Sequence, residues 1–296
     1  MIGAARAVMG DIKKMEKEEC CGKSHEIPRR KLGATGEFVS ILGLGGEGVL
    51  RSWGEEKKAV ELINGALDMG VNYMESARAY EGSESYYGVA LGQRRKEVFL
   101  ASKSHAREYK GAMAHLHETL KNMGTDYLDL WQIHDVRTEQ DVSAIFAPGG
   151  AYEAFTEAKA KGLVRFIGVT GHHDPAVLAR CVSEYDFDTV LMPVNPAEPA
   201  YKPFIEEVVP AASAKDMGII AMKVYLRGGL NAPKRLLFCY ALTQPVSTGV
   251  IGCDTLEQLK ENVEIASTFI PLRLKEVERF TEFISSQARQ LMYYKP

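Results

Sequence analysis

The sequence predicts an α/β protein: a single (β/α)8 barrel with a β-hairpin at its bottom and an extra helix at its C-terminal end. The chain has 296 residues, and α/β barrels of about 250 residues commonly form one domain. Short, almost uninterrupted apolar runs alternate with amphipathic segments, as in parallel strands buried on both faces. Eight such repeats favour a closed barrel over an open, doubly wound sheet of about five or six strands.

Each element is predicted from its local pattern. The hairpin pairs residues 29–33 with residues 37–42 across a glycine-containing turn. Barrel strands are predicted at residues 40–46, 71–76, 98–103, 128–134, 164–171, 188–194, 218–224 and 247–252. Helices follow them at residues 59–70, 83–93, 112–124, 151–162, 175–185, 204–218, 234–244 and 256–266. Several helices end in the glycine expected at a C′ position, at Gly70, Gly124, Gly162 and Gly218. The segment from Leu272 onward predicts the extra helix.

Residues 1–27 are predicted to form a separate N-terminal extension, and residues 28–296 the barrel domain. The extension is rich in charged residues and contains the adjacent Cys20 and Cys21. A short polar helix over residues 11–19 and a mobile tail both fit its composition. No second folded domain is predicted.

Composition and charge argue against several classes of function. The net charge is −3 at pH 7 and basic residues form no domain-wide patch, so no nucleic-acid partner is expected. No stretch is apolar and long enough to cross a membrane, and the opening residues lack the pattern of a secretory signal. The five cysteines include no C-x-x-C pair, which predicts a reduced, cytoplasmic protein without structural disulfides.

Titratable residues lie at or just beyond the carboxyl ends of three consecutive predicted strands: Glu75, Tyr80, Lys103 and His134. Active sites of barrels lie at this face, where side chains from neighbouring strands converge. A phenol, with a pKa of about 10, is a weak proton donor near neutral pH, and a nearby ammonium lowers that pKa. Lys103 can act in this way on Tyr80. Glu75 can keep Lys103 charged, and His134 can hydrogen-bond a substrate oxygen.

Taken singly, each of these residues has an ordinary structural interpretation as a solvated charge or a packing side chain. Their ordered combination on successive strands instead indicates a catalytic site. The set suits protonation of a carbonyl oxygen while hydride arrives at the carbonyl carbon.

Around these residues the sequence resembles the aldo-keto reductase family. The resemblance covers residues 29–266 and rests on the order and spacing of RRKLGATG, ILGLGG, ESARAYEGSESYYG, FLASK, YLDLWQIH, VRFIGVTG and IGCDTLEQLKEN. It implies a TIM barrel and an NADP(H) or NAD(H) cofactor bound without a Rossmann domain. Tyr80, Lys103 and His134 match the family's catalytic Tyr, Lys and His. Glu75 stands where the family's Asp is expected, and its extra methylene changes the reach of the carboxylate.

The resemblance also implies positions that hold the nicotinamide end of the cofactor, namely Gly46, Thr170, Gly171, Leu191, Met222 and Lys223. The carboxamide is usually held by Ser, Asn and Gln. Here Thr170 can serve for Ser, whereas Gly171 replaces Asn and Leu191 replaces Gln. Met222 replaces the usual ring-stacking Tyr. The IAMK pattern that it belongs to resembles a branch whose members often carry a C-terminal iron–sulfur segment, which is expected to be absent because no cysteine follows Cys253.

The run IGCDTLEQLKEN is expected to bind the diphosphate and adenosine of the cofactor through Gly252, Cys253, Asp254, Gln258, Glu261 and Asn262. Backbone groups of Gly252 and Cys253, with the start of the following helix, can receive phosphate oxygens. Gln258 stands where many NADPH-dependent members carry Arg, and a 2′-phosphate is best held by Arg or Lys. The preference between NADPH and NADH therefore stays open.

Further residues of the mouth loops are candidates for the substrate pocket, namely Trp53, His105, His172 and His173. Histidines on separate loops without a ligand pattern of Cys or carboxylates line pockets more often than they bind metal, so no metal is expected. Trp53 is either a wall of the pocket or an ordinary exposed loop aromatic.

The sequence favours an NAD(P)-dependent oxidoreductase that reduces or oxidises an aldehyde, ketone or sugar, with Tyr80 as general acid or base. One alternative is a regulatory barrel that binds cofactor with little turnover, which the altered carboxamide positions motivate. Another is a redox-neutral epimerase or lyase that uses nicotinamide transiently, for which Glu75 and the mouth histidines leave room. The expected partner is a small carbonyl or sugar molecule, and the oligomeric state is open.

Overall fold

Eight parallel strands close into a barrel with helices on its outside, which confirms the predicted fold class. The computed structural model describes residues 26–296. Its strands are β1 (Arg29–Lys31), β2 (Phe38–Ser40), β3 (Leu42–Gly48), β4 (Tyr73–Glu75), β5 (Phe99–Ser104), β6 (Leu128–Ile133), β7 (Val164–Thr170), β8 (Thr189–Pro193), β9 (Gly218–Met222) and β10 (Thr248–Cys253). Strands β3 to β10 follow one another around the barrel, and β10 closes it by pairing with β3.

The helices lie where the sequence predicts them, with two additions. They are α1 (Glu56–Asp68), α2 (Ser83–Leu91), α3 (Tyr109–Met123), α4 (Glu139–Phe146), α5 (Ala151–Ala160), α6 (Pro175–Glu184), α7 (Phe204–Ala214), α8 (Lys234–Thr243), α9 (Leu256–Ser267), α10 (Leu274–Ser285) and α11 (Ala288–Leu291). Helix α4 was not predicted; a capping box of Thr138 and Asp141 starts it. The predicted C-terminal helix is two helices, α10 and the short α11.

The hairpin of β1 and β2 covers the bottom of the barrel, where the strands begin. The strands pair antiparallel from Arg29 opposite Ser40, and Leu32 and Val39 are fully buried against the inner core. The Arg30 guanidinium donates to the carbonyl oxygens of Val246 and Leu242, at 2.8 and 2.9 Å. The bottom is therefore closed, and the opposite end is left for a site.

Three of the predicted C′ glycines adopt the left-handed backbone expected of them: Gly70, Gly124 and Gly162 have φ values of 89°, 60° and 72°. The prediction is wrong for Gly218, which is the first residue of β9. Asp216 takes the left-handed conformation instead, with φ 48°. Gly218 is required by close packing, because a Cβ there would lie 2.6 Å from Leu32 Cδ1.

Apolar side chains fill the barrel below the level of the site. Tyr73, Phe99 and Phe166 stack in the interior, with ring centroids 5.6 and 6.1 Å apart. A second, larger core lies between the strands and the surrounding helices. Each large apolar side chain buried in this way contributes about 1.5–3 kcal/mol, so the strand ends above it have a rigid base.

The adjacent cysteines of the N-terminal extension, Cys20 and Cys21, lie outside the described residues. Ile27, assigned to the extension by the sequence, is buried in the outer core, and the division of the chain at residue 27 stays a prediction. None of the helices described between residues 26 and 296 has both the length and the apolar character needed to span a bilayer.

Candidate active site

The carboxyl ends of the barrel strands surround a cavity of about 890 Å³. All of the predicted catalytic side chains line it: Glu75, Tyr80, Lys103 and His134. They come from the ends of β4, β5 and β6 and from the loop after β4. Adjacent strand ends in one parallel sheet thus bring together residues that lie up to 59 positions apart (75 to 134).

Lys103 is at the centre of this group and is almost completely buried. Its Nζ donates to Glu75 Oε1 at 2.8 Å and to the carbonyl oxygen of Ser76 at 2.9 Å. The same Nζ lies 5.1 Å from the centroid of the Tyr80 ring. The register of β4 and β5 produces this geometry, because Glu75 pairs with Ala101 and Lys103 is the next inward-facing residue along β5.

The charges of Lys103 and Tyr80 follow from burial and from each other. Burial, the largest single effect, lowers the pKa of the Lys103 ammonium, but Glu75, Tyr80 and Glu47 together outweigh it, so the pKa is above its usual value. Burial raises the pKa of the Tyr80 phenol, and Lys103 opposes this rise without cancelling it. Lys103 was expected to bring the pKa of Tyr80 below 10; desolvation is the larger effect here. Tyr80 is therefore a protonated phenol beside a permanent cation.

His134 faces Tyr80 edge-on, with ring centroids 5.8 Å apart and an angle of 86° between the rings. Burial, and then the charge of Lys103, holds the pKa of His134 well below its usual value of 6.5. The imidazole is therefore neutral at neutral pH. Its backbone is fixed by Arg107, whose Nη1 donates to the His134 carbonyl oxygen at 2.8 Å.

Strand β3 and the turn after it enclose Tyr80 from two sides. A Cβ on Gly46 would lie 2.7 Å from Tyr80 Cδ2, so only glycine lets the ring pack against the strand. The Arg51 guanidinium lies over the ring, 4.9 Å from its centroid, and pairs with Glu47 at 2.9 Å. Arg51 was not predicted, because nothing in the sequence pattern distinguishes it from other basic loop residues.

Most residues predicted to hold the nicotinamide end line the cavity: Gly46, Thr170, Leu191, Met222 and Lys223. Gly171 does not line it; a Cβ there would lie 3.0 Å from the Val136 carbonyl oxygen, so the position supports the neighbouring loop. Thr170 Oγ1 accepts a hydrogen bond from the Asp135 amide at 2.8 Å. The wall offered to a nicotinamide ring is thus mainly apolar, and the hydroxyl of Thr170 in this wall already accepts a hydrogen bond from the protein.

Two cations of the loop after β9 line the cavity without a carboxylate partner among the described residues. Lys223 Nζ lies 5.6 Å, and the Arg227 guanidinium 4.3 Å, from the centroid of the Tyr293 ring. Burial lowers the pKa of Lys223. Unpaired cations at a cavity wall are suited to an anionic group such as a diphosphate.

Of the six residues predicted to bind diphosphate and adenosine, only Gly252 lines the cavity. The other five do not line it: Cys253, Asp254, Gln258, Glu261 and Asn262. Asn262 donates to Cys253 Sγ at 3.3 Å and accepts from the Tyr225 hydroxyl at 2.7 Å. Gln258 Oε1 accepts from the Asp254 amide at 2.8 Å. Their contact with a cofactor stays a prediction.

The three predicted pocket histidines line the cavity: His105, His172 and His173. Trp53 does not line it; its side chain is 67% exposed in the loop after β3. Within residues 26–296, no group of three or more His, Cys, Asp or Glu side chains is arranged to hold a metal ion.

Three C-terminal residues at the mouth of the cavity were not predicted either. Tyr293, Tyr294 and Lys295 line the cavity. Lys295 Nζ and the Tyr294 hydroxyl donate to the buried carboxylate of Glu198, at 2.7 and 2.6 Å. Because Glu198 and Lys295 are 97 positions apart, no local pattern could have indicated this pairing.

A model of the Aldo/keto reductase family matches residues 42–236, which include all four predicted catalytic residues. The chain is 27% identical to the uncharacterized oxidoreductase YqkF of Bacillus subtilis, over 90% of this chain and 98% of YqkF. It is 25% identical to D-threo-aldose 1-dehydrogenase of a Pseudomonas species, over 68% of this chain and 71% of that protein. The holo form of aldo-keto reductase AKR11C1 from Bacillus halodurans has the same fold, with a TM-score of 0.73, 23% identity, and coverage of 87% of this chain and 96% of that chain.

Proposed function

Because this chain belongs to the aldo/keto reductase family, whose members are NAD(P)-dependent oxidoreductases of carbonyl compounds, we propose that Tyr80 is the general acid of its reaction. In the reduction direction, the Tyr80 hydroxyl gives its proton to the carbonyl oxygen of the substrate. The observation that carries this assignment is the buried Lys103 ammonium, held between Glu75 and the face of the Tyr80 ring.

The remaining residues prepare Tyr80 for this step. The Lys103 charge stabilises the phenolate that proton transfer leaves behind, and Glu75 keeps Lys103 charged and oriented. The neutral His134 imidazole donates a hydrogen bond to the same carbonyl oxygen and fixes it beside Tyr80. The phenolate then regains a proton from solvent at the mouth of the cavity.

The residues of the cavity fit a nicotinamide dinucleotide. Leu191 and Met222 offer an apolar wall to the ring, and Lys223 and Arg227 offer unpaired charges to the diphosphate. When bound in reduced form, the cofactor supplies the hydride that reduces the carbonyl carbon. We place the adenosine of the cofactor at the start of α9, where Gln258 is one of its predicted contacts.

We propose an aldehyde, ketone or sugar as substrate. The name of the Pseudomonas relative indicates an aldose substrate for that protein, and the mouth of this cavity carries His105, His172 and His173, which can hydrogen-bond hydroxyl groups. The same mouth gives no reason to expect a nucleic-acid partner.

We further propose membership of the branch with IAMK in the seventh barrel strand. Residues 220–223 carry this pattern at the end of β9. Residues 254–296 contain no cysteine and so offer no thiolate ligand to an iron–sulfur cluster. A cytoplasmic location also stays a proposal; it is supported by Cys181 and Cys253, which are buried thiols.

The test is a titration of the protein with NADPH and with NADH, followed by protein fluorescence, and then a panel of aldehydes, ketones and sugars with the preferred cofactor. We expect cofactor oxidation in proportion to the carbonyl reduced. Tight cofactor binding with no turnover across the panel would instead favour a regulatory barrel. Product formed without any net change in cofactor absorbance would favour a redox-neutral epimerase or lyase.

A further inference from the structure

The second carboxylate oxygen of Glu75 has its own partner inside the barrel. While Oε1 contacts Lys103, Oε2 accepts a hydrogen bond from the Tyr73 hydroxyl at 3.4 Å. Both residues are buried: Tyr73 is completely buried, and only 4% of the surface of Glu75 is exposed. Across residues 26–296, Oε2 receives no other hydrogen bond and the Tyr73 hydroxyl makes no other one.

The Tyr73 ring is placed by the packing of the barrel interior. Tyr73 lies two residues before Glu75 on β4, so both side chains point inward. The ring stacks on Phe99 at 5.6 Å. On its other side, a Cβ on Gly43 would lie only 2.8 Å from Tyr73 Cδ1. A ring held this closely keeps its hydroxyl at one position, directly below the Glu75 carboxylate.

A buried carboxylate oxygen without a hydrogen-bond donor is costly. Burial, and then the charge of Glu75, raises the pKa of the Tyr73 phenol well above 10. Tyr73 therefore stays protonated and acts toward the carboxylate only as a donor. Tyr73 and Lys103 together hold the carboxylate from two directions.

We propose that Tyr73 is a positioning residue for the reaction, whose hydroxyl holds the Glu75 carboxylate against Lys103 and thereby fixes the ammonium under Tyr80. This inference rests on the proposed function of Tyr80. It depends on the length of Glu75, because an Asp carboxylate at position 75 is one methylene shorter and cannot reach Tyr73 and Lys103 together.

The test is a cycle of four proteins: the parent, Tyr73→Phe, Glu75→Asp and the double variant. In the parent background we expect Tyr73→Phe to lower kcat about tenfold, with KM for the carbonyl and Kd for the cofactor unchanged. In the Glu75→Asp background the same substitution changes kcat less than about twofold, because the hydrogen bond is already absent. The melting temperature is measured for all four proteins. We expect Tyr73→Phe to lower it in the parent background and to change it much less in the Glu75→Asp background.

Tyr152→Phe is the matched control, because the Tyr152 hydroxyl donates to the Asp186 carbonyl oxygen at 3.1 Å on the outside of the barrel. The variant also loses the hydrogen bond that this hydroxyl accepts from the Asp186 amide at 3.3 Å, and we expect no decrease in kcat. The proposal is wrong if Tyr73→Phe keeps kcat within about twofold of the parent, or if its effects on kcat and melting temperature are equal in both backgrounds. A parent enzyme without carbonyl turnover contradicts the proposed function instead, and the cycle in melting temperature still decides whether Tyr73 and Glu75 are coupled.

Discussion

At the scale of single residues, the site depends on one buried cation with one counter-ion. Lys103 and Glu75 are both almost fully buried and lie 2.8 Å apart. Such a pair contributes little to stability by itself, but removal of one member leaves an uncompensated charge in the interior. In the proposed mechanism, the contribution of this pair is its effect on Tyr80.

This gives a prediction for Lys103→Met. We expect the variant to lose about 3–5 kcal/mol of the free energy of unfolding, because Glu75 is left without its counter-ion. Turnover should fall about 10²–10⁴-fold. The double variant Lys103→Met/Glu75→Gln should recover most of the stability and none of the turnover, as measured by urea unfolding and steady-state kinetics. A single variant as stable as the parent, or a double variant that regains activity, contradicts the assignment.

A second prediction concerns pH and His172. Burial lowers the pKa of His172 to about 4, whereas in the unfolded chain it is about 6.5. The unfolded state therefore takes up a proton where the folded state does not, and stability that is complete above pH 6.5 is lost as the pH falls toward 4. For His172 this loss amounts to at most about 3 kcal/mol.

We expect His172→Gln to remove this part of the pH dependence. Urea unfolding of parent and variant at intervals between about pH 4 and pH 7 measures it. The free energy of unfolding of the parent should fall more steeply toward acid than that of the variant. If the free energy of unfolding falls equally toward acid pH in the two proteins, the pKa assigned to His172 is wrong.

At the scale of elements, Tyr80 owes its position to the glycines of β3. The strand approaches Tyr80 so closely that Gly46 has no room for a side chain: a Cβ would lie 2.7 Å from the ring and 2.9 Å from the Glu75 carbonyl oxygen. The sequence showed ILGLGG but not the reason for its glycines. For Gly46 the reason is a contact with Tyr80 in the loop after β4, 34 positions further along the chain (46 to 80).

Gly46→Ala should therefore displace the Tyr80 ring. A displacement of about 1 Å costs up to about 100-fold in rate, so we expect kcat to fall by about 10–100-fold. Gly65→Ala on α1 is the control, because its Cβ meets only the flexible end of Leu256 at 2.6 Å, outside the site. Steady-state kinetics of both variants, with melting temperatures, measures the difference. Equal kcat values for the two variants argue against this role of β3.

The elements themselves were largely predictable, because the pattern of each is local. Buried parallel strands appear as apolar runs, and most of the helix-ending glycines adopt the expected backbone. Helix α4 was missed because it is only eight residues long and lies in a loop. Its capping residues, Thr138 and Asp141, were the available signal. The C-terminal helix was predicted as one element, and the break between α10 and α11 has no glycine or proline to indicate it.

At the scale of the whole molecule, the predictable part of the site is the part carried by strand ends. Glu75, Lys103 and His134 could be placed together because adjacent strands of a closed barrel meet at one face. Arg51, Glu198 and the C-terminal residues could not, because their positions depend on loops whose paths the sequence does not encode locally. For the same reason the sequence left two interpretations of Trp53 open, and the structure agrees with an exposed loop aromatic.

Closure of the barrel brings its first and last strands to one site. β10 pairs with β3, so Gly252 lies beside Glu47, and a Cβ on Gly252 would lie 2.8 Å from the Glu47 backbone. The wall that we propose for the cofactor, formed after β9 and β10, thus lines the same cavity as the residues from β4 to β6 that we propose for proton transfer. If the two halves act as proposed, a substitution in one of them can leave the other intact.

The substitution Tyr80→Phe separates cofactor binding from proton transfer most directly. The variant keeps the ring that packs between Gly46 and Arg51 and removes only the transferable proton. We predict that kcat falls at least about 100-fold, while the Kd for the cofactor, measured by fluorescence titration, stays within about twofold of the parent value. A Tyr80→Phe enzyme that reduces the same carbonyl at the parent rate would contradict the assignment of Tyr80 as proton donor.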